Sequence, residues 1–131
     1  MKIMIVDDDE AVRALMAEII ALSGHEVILA ADGLEALQLY RLRKPDVIFM
    51  DLEMPRLSGP EAIRAIKAFD QQARIFIITG NRYHPFLAQA ARESLVAGTI
   101  FKPFSMVDIT LCLGRNTAYS ELEERLGAVS A

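Results

Sequence analysis

Cysteine occurs once in these 131 residues, at Cys112. A single thiol excludes an internal disulfide framework, and its neighbours Ile109, Leu111 and Leu113 mark it as a small buried hydrophobe. No uninterrupted apolar stretch approaches the roughly 18 residues that a membrane-spanning helix needs, although 53% of the chain is hydrophobic. The first residues run straight into a strand and an acidic cluster, unlike a secretory leader, so a cytoplasmic protein without membrane insertion is expected. Basic charge is scarce as well. With 18 Asp and Glu against 14 scattered Lys and Arg, the net charge of -4 leaves no footprint for a nucleic acid. Internal repeats, low-complexity tracts and interdomain linkers are missing too, which leaves one domain long enough to bury its own core.

Five short apolar runs take their place: Ile3 to Val6, Val27 to Ala31, Val47 to Met50, Ile75 to Ile78 and Thr99 to Phe101. Unbroken apolar runs rich in β-branched residues predict strands of a parallel sheet covered on both faces. Between them apolar residues recur at helical spacing: Val12, Leu15, Met16 and Ile19, then Leu34 and Leu37, then Ile63 and Ile66, then Leu87, Ala90 and Ala91. A fifth helix is expected from Phe104 or Ser105, carrying Met106, Val107, Ile109, Leu111 and Leu113 to Gly114. Punctuation agrees, since Ser23-Gly24 stops the first helix, Asp32-Gly33 opens the second and Ser58-Gly59-Pro60 opens the third. Strand and helix alternating with short connections predict an α/β doubly wound parallel sheet with helices on both faces.

Four of the five runs end in a residue able to handle a phosphoryl group: Asp7 and Asp8, Asp51, Thr79, and Lys102. The carboxyl ends of parallel strands line one crevice, so these side chains are expected to converge there. Carboxylates about 4 to 5 Å apart repel by roughly 3 to 4 kcal/mol per pair at an effective dielectric of 20. A divalent cation relieves that repulsion, and hard oxygen ligands suit Mg²⁺, with Mn²⁺ also possible. Metal and ammonium would then hold two phosphoryl oxygens, Thr79 would donate to the third, and Asp51 would attack phosphorus to give an aspartyl phosphate. Asp9 and Glu10 are expected to serve only the first turn of a helix. His25 is expected in a surface turn and His84 in the loop opening the fourth helix.

Taken in order, Ile5-Val6-Asp7-Asp8-Asp9, Asp51-Leu52-Glu53-Met54-Pro55 with Gly59, Ile78-Thr79-Gly80 and Phe101-Lys102-Pro103-Phe104 resemble the receiver domain of bacterial two-component response regulators. The likeness is to the single-domain, chemotaxis-regulator type and covers about residues 1 to 113. It implies a flavodoxin-like sheet of strand order 2-1-3-4-5 and phosphorylation of Asp51 by a sensor histidine kinase or a histidine phosphotransfer protein. It further implies Mg²⁺ held by Asp8, Asp51 and the backbone carbonyl of Glu53, with Asp7 assisting through water and Lys102 on the phosphoryl group. By the same resemblance Glu53 and Asn81 stand at the two positions flanking the water path to the phosphoryl group and are expected to tune dephosphorylation. Phosphorylation would draw Thr79 inward and switch the surface of helix 4, strand 5 and helix 5 toward a downstream protein target, with slow self-dephosphorylation as the sole turnover. The same face would support a weak homodimer if the chain is not a monomer.

One departure stands out. Where the resemblance calls for Tyr or Phe in the fifth strand, this chain has Thr99, so the switch region comprises Thr79, Tyr83, Thr99 and Phe101 without the usual aromatic. Phe101, beside Lys102, is expected on the other face by alternation. Two rivals remain: a metal-dependent phosphohydrolase of the haloacid-dehalogenase type using Asp7 and Asp9, and a receiver-like docking module whose switching has lapsed. Residues 114 to 131 form no recognisable output domain. There Tyr119, Leu122 and Leu126 predict a helical extension or tail.

Overall fold

The computed structural model describes residues 1 to 114. The expected pattern of Tyr119, Leu122 and Leu126 therefore lies outside the described residues. Among the described residues ten elements alternate strictly: β1 (Lys2–Val6), α1 (Glu10–Leu22), β2 (Glu26–Ala30), α2 (Gly33–Arg43), β3 (Val47–Asp51), α3 (Gly59–Phe69), β4 (Ile75–Thr79), α4 (Pro85–Arg92), β5 (Gly98–Phe101) and α5 (Met106–Cys112). The strands form one sheet of order β2-β1-β3-β4-β5, and all four pairings are parallel. This is the doubly wound fold that the alternation predicts, in the flavodoxin-like strand order that the resemblance implies. None of the described helices is long and apolar enough to cross a membrane.

Strand alternation sends neighbouring residues into two separate cores. Met4, Val6, Ile48, Met50, Ile75 and Ile77 pack with α2, α3 and α4. Ile3, Ile5, Phe49, Phe76, Ile78 and Ile100 pack on the other face, against Met16, Ile19 and Ile20 of α1 and Ile109 of α5. β3 and β4 are buried along their full length, as central parallel strands should be.

Several helix stripes differ from the sequence expectation. On α1 the inward residues are Met16, Ile19 and Ile20, and Leu15 is exposed, because the buried face is one residue out of phase with the Val12–Leu15 spacing. On α4 Phe86 and Ala90, four residues apart, face the core with Leu87 partly covered, and Ala91 is exposed. On α5 Ile109 and Leu113 point inward while Met106, Val107 and Leu111 remain exposed. Strand β2 runs from Glu26 to Ala30 rather than from Val27 to Ala31, and as an edge strand it leaves Leu29 exposed.

Each of the five described helices starts on a side-chain cap, which fixes where the preceding loop ends. Asp9 caps α1, Asp32 caps α2, and Ser58 with Glu61 forms a capping box on α3. His84 caps α4 by accepting the Phe86 N–H at Nδ1, so the histidine expected in the loop has a structural task. Ser105 and Asp108 box the start of α5. His25 sits half-buried in the turn before β2, where burial holds its imidazole below the usual value.

Candidate functional site

Strand termination decides where the polar residues go. Val6, Asp51, Thr79 and Phe101 are the last residues of β1, β3, β4 and β5, and these four strands are adjacent in the sheet. Asp7, Asp8 and Lys102 follow directly, so every strand-end residue singled out above reaches one rim. Asp7, Asp8, Asp51, Thr79 and Lys102 all line a cavity of about 400 Å³, and Glu53 and Asn81 face it too. One carboxylate oxygen from each of Asp7, Asp8 and Asp51 lies within 4.8 Å of the others.

The three carboxylates are not equivalent. Asp7 is 2% exposed, accepts the Asp9 N–H at Oδ1 (2.9 Å) and accepts Lys102 Nζ at Oδ2 (2.8 Å). Both of its oxygens are therefore occupied. Asp51 accepts the N–H of Leu52 at Oδ1 (2.9 Å), with Lys102 Nζ 3.8 Å from the same oxygen. Asp8 is exposed. Burial, reinforced by the charge of Asp7, pushes the Asp51 carboxyl up to about 6, while Lys102 pulls the other way. A site that raises a buried carboxyl this far is one that favours added positive charge.

Thr79 is buried, and its Oγ1 accepts the Asn81 N–H at 3.0 Å, which turns the chain sharply after β4. Its hydroxyl proton engages none of the described residues and is available to an acceptor in the cavity. Asn81 in turn accepts the Tyr83 N–H at Oδ1 (3.0 Å), which leaves its amide nitrogen as the group able to serve the cavity. Asp9 is the α1 cap, accepting from Ala11 (2.9 Å) and Val12 (3.4 Å), as expected.

A profile for the response regulator receiver domain matches residues 3–113. The chain belongs to the response regulator receiver family. Sporulation initiation phosphotransferase F of Bacillus subtilis is 32% identical over 109 residues, which cover 82% of this chain and 86% of that protein. The transcriptional regulatory protein PdtaR of Mycobacterium tuberculosis is also 32% identical, over 98% of this chain but 64% of its own length. Among solved structures, the chemotaxis protein CheY4 of Vibrio cholerae matches with a TM-score of 0.78 at 30% identity, covering 87% of this receiver and 96% of that chain. The protein is thus a receiver of two-component signalling with an acidic pocket built from Asp7, Asp8 and Asp51. The family partners with kinases or phosphotransferases and is generally not one of classical enzymes.

The remaining residues of the expected switch region lie elsewhere in the receiver. Thr99 and Phe101 line a second cavity of about 370 Å³ with Arg82, Asp108 and Cys112, on the β5 side of the sheet. Tyr83 is 91% exposed. The expected face of Phe101 is corrected by the β-register: Ile77 pairs with Thr99 and Thr79 with Phe101, so Phe101 shares a face with both Thr99 and Thr79. Alternation relative to Lys102 misled because Lys102 has already left the strand. The Arg82 guanidinium lies 4.4 Å from the centre of the Phe101 ring, a contact no periodicity foreshadows. Burial pushes the Cys112 thiol up to about 11, in keeping with a hydrophobe and not a nucleophile.

Two further residues near the rim carry no signal in the sequence. Arg13, on α1, donates from Nη1 to the carbonyl oxygen of Asp7 at 2.6 Å. Arg56, in the β3–α3 connection, pairs with Asp32 at 2.7 Å. Neither arginine has a sequence signal, whereas Asp32-Gly33 is legible as a helix start.

Proposed function

We propose that the chain is a phosphoacceptor switch in which Asp51 takes a phosphoryl group from a phosphohistidine of a sensor kinase or phosphotransfer protein. The observation that carries this is the convergence of three carboxylate oxygens within 4.8 Å, with an ammonium 2.8 Å from Asp7 and 3.8 Å from Asp51. Repelling carboxylates at one rim have a purpose if a divalent cation and a phosphoryl group belong there.

The donor set fits Mg²⁺, or Mn²⁺: hard oxygens, one exposed, with room for waters. Asp8, Asp51 and the Glu53 carbonyl would hold the ion, with Asp7 assisting through water. When bound, the ion neutralises charge on the phosphoryl oxygens. An Asp51 oxygen attacks phosphorus, the phosphorus–nitrogen bond of the donor breaks, and its electron pair leaves on the imidazole nitrogen. Lys102 supplies a cation and Thr79 a hydroxyl donor to the transferred oxygens. Glu53 and Asn81 border the approach of water and set the lifetime of the product.

The new group carries about -1.5 to -2 charges, enough to recruit Thr79 and Lys102 and so to alter the adjoining surface of α4, β5 and α5, where a protein partner would dock. The relay at that surface is proposed to run through Thr79, Tyr83, Thr99 and Phe101. We further assign residues 1 to 113 as the receiver unit and 114 to 131 as an extension of it, working in the cytoplasm.

The phosphohydrolase alternative is disfavoured by Asp7 and Asp9. A nucleophilic Asp7 would have to abandon two hydrogen bonds, and Asp9 is committed as a helix cap. Incubation with Mg²⁺ and a small phosphodonor, read by intact mass, is expected to add one phosphoryl group that is lost in Asp51→Asn. Loss in Asp7→Asn with retention in Asp51→Asn would overturn the assignment.

A further inference from the structure

The β3–α3 connection, residues 52 to 58, carries Glu53 to the acidic cavity and is tied down at two places. At its base the Gly59 N–H donates to the Leu52 carbonyl at 3.0 Å. Its far end is held from an unrelated part of the chain, the start of α2. There Gly33 N–H donates to the Leu57 carbonyl (3.1 Å), and Asp32 Oδ2 receives both Nε (2.9 Å) and Nη2 (2.7 Å) of Arg56. The approach is so close that a Cβ on Gly33 would fall 2.1 Å from the Leu57 oxygen.

Two features make this tie more than a helix start. Capping α2 needs only one carboxylate oxygen, and Oδ1 already performs it by accepting the Glu35 N–H at 2.9 Å. Asp32 is nonetheless 7% exposed and commits its other oxygen to Arg56. Arg56 has φ 66°, a left-handed conformation that costs a non-glycine residue about 1 kcal/mol or more unless its surroundings impose it. The arginine side chain itself lies outside the acidic cavity, so its one evident product is the shape of the connection. A divalent ion that demands near-octahedral oxygens gains when the backbone supplying one of them is ordered beforehand.

We propose that Asp32 and Arg56 are positioning residues for the divalent cation, holding the β3–α3 connection so that Glu53 is presented to Asp8 and Asp51 before the ion arrives. This rests on the cation reading given above. Neither residue of the pair lines the acidic cavity.

The test uses the full chain, with Mg²⁺ titrated while the amide signals of Asp8 and Asp51 are followed, and with amide exchange of residues 52 to 58 measured in the metal-free protein. Asp32→Asn preserves the cap, and Arg56→Ala removes the partner. Each is expected to weaken Mg²⁺ binding about three- to tenfold, below the effect of removing a direct hydrogen-bond partner of a metal ligand, and to speed exchange at Glu53. The double variant should be no weaker than the worse single one. Arg56→Gly separates positioning from stability, because it relieves the left-handed strain and should recover thermal stability relative to Arg56→Ala while Mg²⁺ binding stays weak. Arg56→Lys should restore part of the affinity. Unchanged affinity in both single variants, or affinity that recovers with stability in Arg56→Gly, overturns the proposal while the cation reading stands. A parent chain whose Asp8 and Asp51 signals ignore Mg²⁺ overturns both.

Discussion

β3 and β5 end at the same rim yet are held in opposite ways. All five residues of β3 are buried, its last residue is hydrogen-bonded by the next amide, and the connection beyond it is fastened to both α2 and α3. In β5 only Ile100 is buried, and the strand borders an open groove over which a single arginine is stacked. Like charges held together would relax apart in a yielding frame, so the acidic side needs rigidity. A surface that must respond to one added phosphoryl group needs the reverse, contacts weak enough to exchange. The two halves of the rim divide chemistry from response.

Glycine substitution puts that contrast to its hardest test. A Cβ at Gly59 would meet Asp51 O at 2.1 Å and Leu52 Cα at 2.5 Å, both backbone atoms that cannot step aside. Gly59→Ala is expected to cost about 3 kcal/mol or more in chemical denaturation. Gly98→Ala in β5 meets only the Phe76 ring edge at 3.3 Å and should stay within about 1 kcal/mol of the parent. Equal effects at the two sites would erase the distinction.

Lys102→Ala comes next. It leaves the buried Asp7 carboxylate without the amine at 2.8 Å. Removing one partner of a buried pair strands the other charge, and with the Lys102 side chain 26% exposed the loss should be about 2 to 3 kcal/mol in the presence of a chelator. Saturating Mg²⁺ should return part of it, because the ion replaces the missing positive charge. A loss that Mg²⁺ leaves untouched would mean the ion does not sit among these carboxylates.

The third test changes sign. Asp51 titrates near 6 in the folded protein, so between about pH 4 and 6 the native state binds a proton that the unfolded chain releases. Metal-free stability should therefore fall as pH rises through that window and stay lower above it. Asp51→Asn removes the dependence. At pH 7.5 in chelator the variant should be more stable than the parent by about 1 to 2 kcal/mol, allowing for solvent screening, and the difference should vanish near pH 3.5. Equal stabilities at pH 7.5 would show that the rim bears no electrostatic strain.

The sequence made the stiff half of the rim far more legible than the soft half. Asp7, Asp8, Asp51, Thr79 and Lys102 each stand at the end of an apolar run, so the strand positions alone bring them together, while the strand order is legible only through the family resemblance. The partner of Lys102 was less visible: its shortest contact is Asp7 at 2.8 Å, with Asp51 at 3.8 Å. Arg56 and Asp32 lie 24 residues apart and meet through tertiary packing that leaves no periodic trace. The side of β5 on which Phe101 stands depends on the β4 register, and Phe86 faces the core because α4 already begins at Pro85, ahead of the Leu87–Ala90 spacing.

The smallest expected effect decides whether the soft half is mechanically separate from the acidic half. Arg82→Ala removes a guanidinium stacked 4.4 Å from Phe101, a contact worth about 0.5 to 1 kcal/mol where water still reaches it. Stability should fall by no more than that, measured by the same denaturation series. Mg²⁺ affinity should stay within about twofold of the parent, because Arg82 lines the β5 groove and not the acidic cavity. Chemical shifts should move at Thr99, Phe101 and Leu111 and remain still at Asp8 and Asp51. If Arg82→Ala instead weakened Mg²⁺ as strongly as Lys102→Ala, the arginine would belong to the reaction centre. The loop from Thr79 to His84 would then be a continuous part of it, and the rim would be one rigid unit and not two.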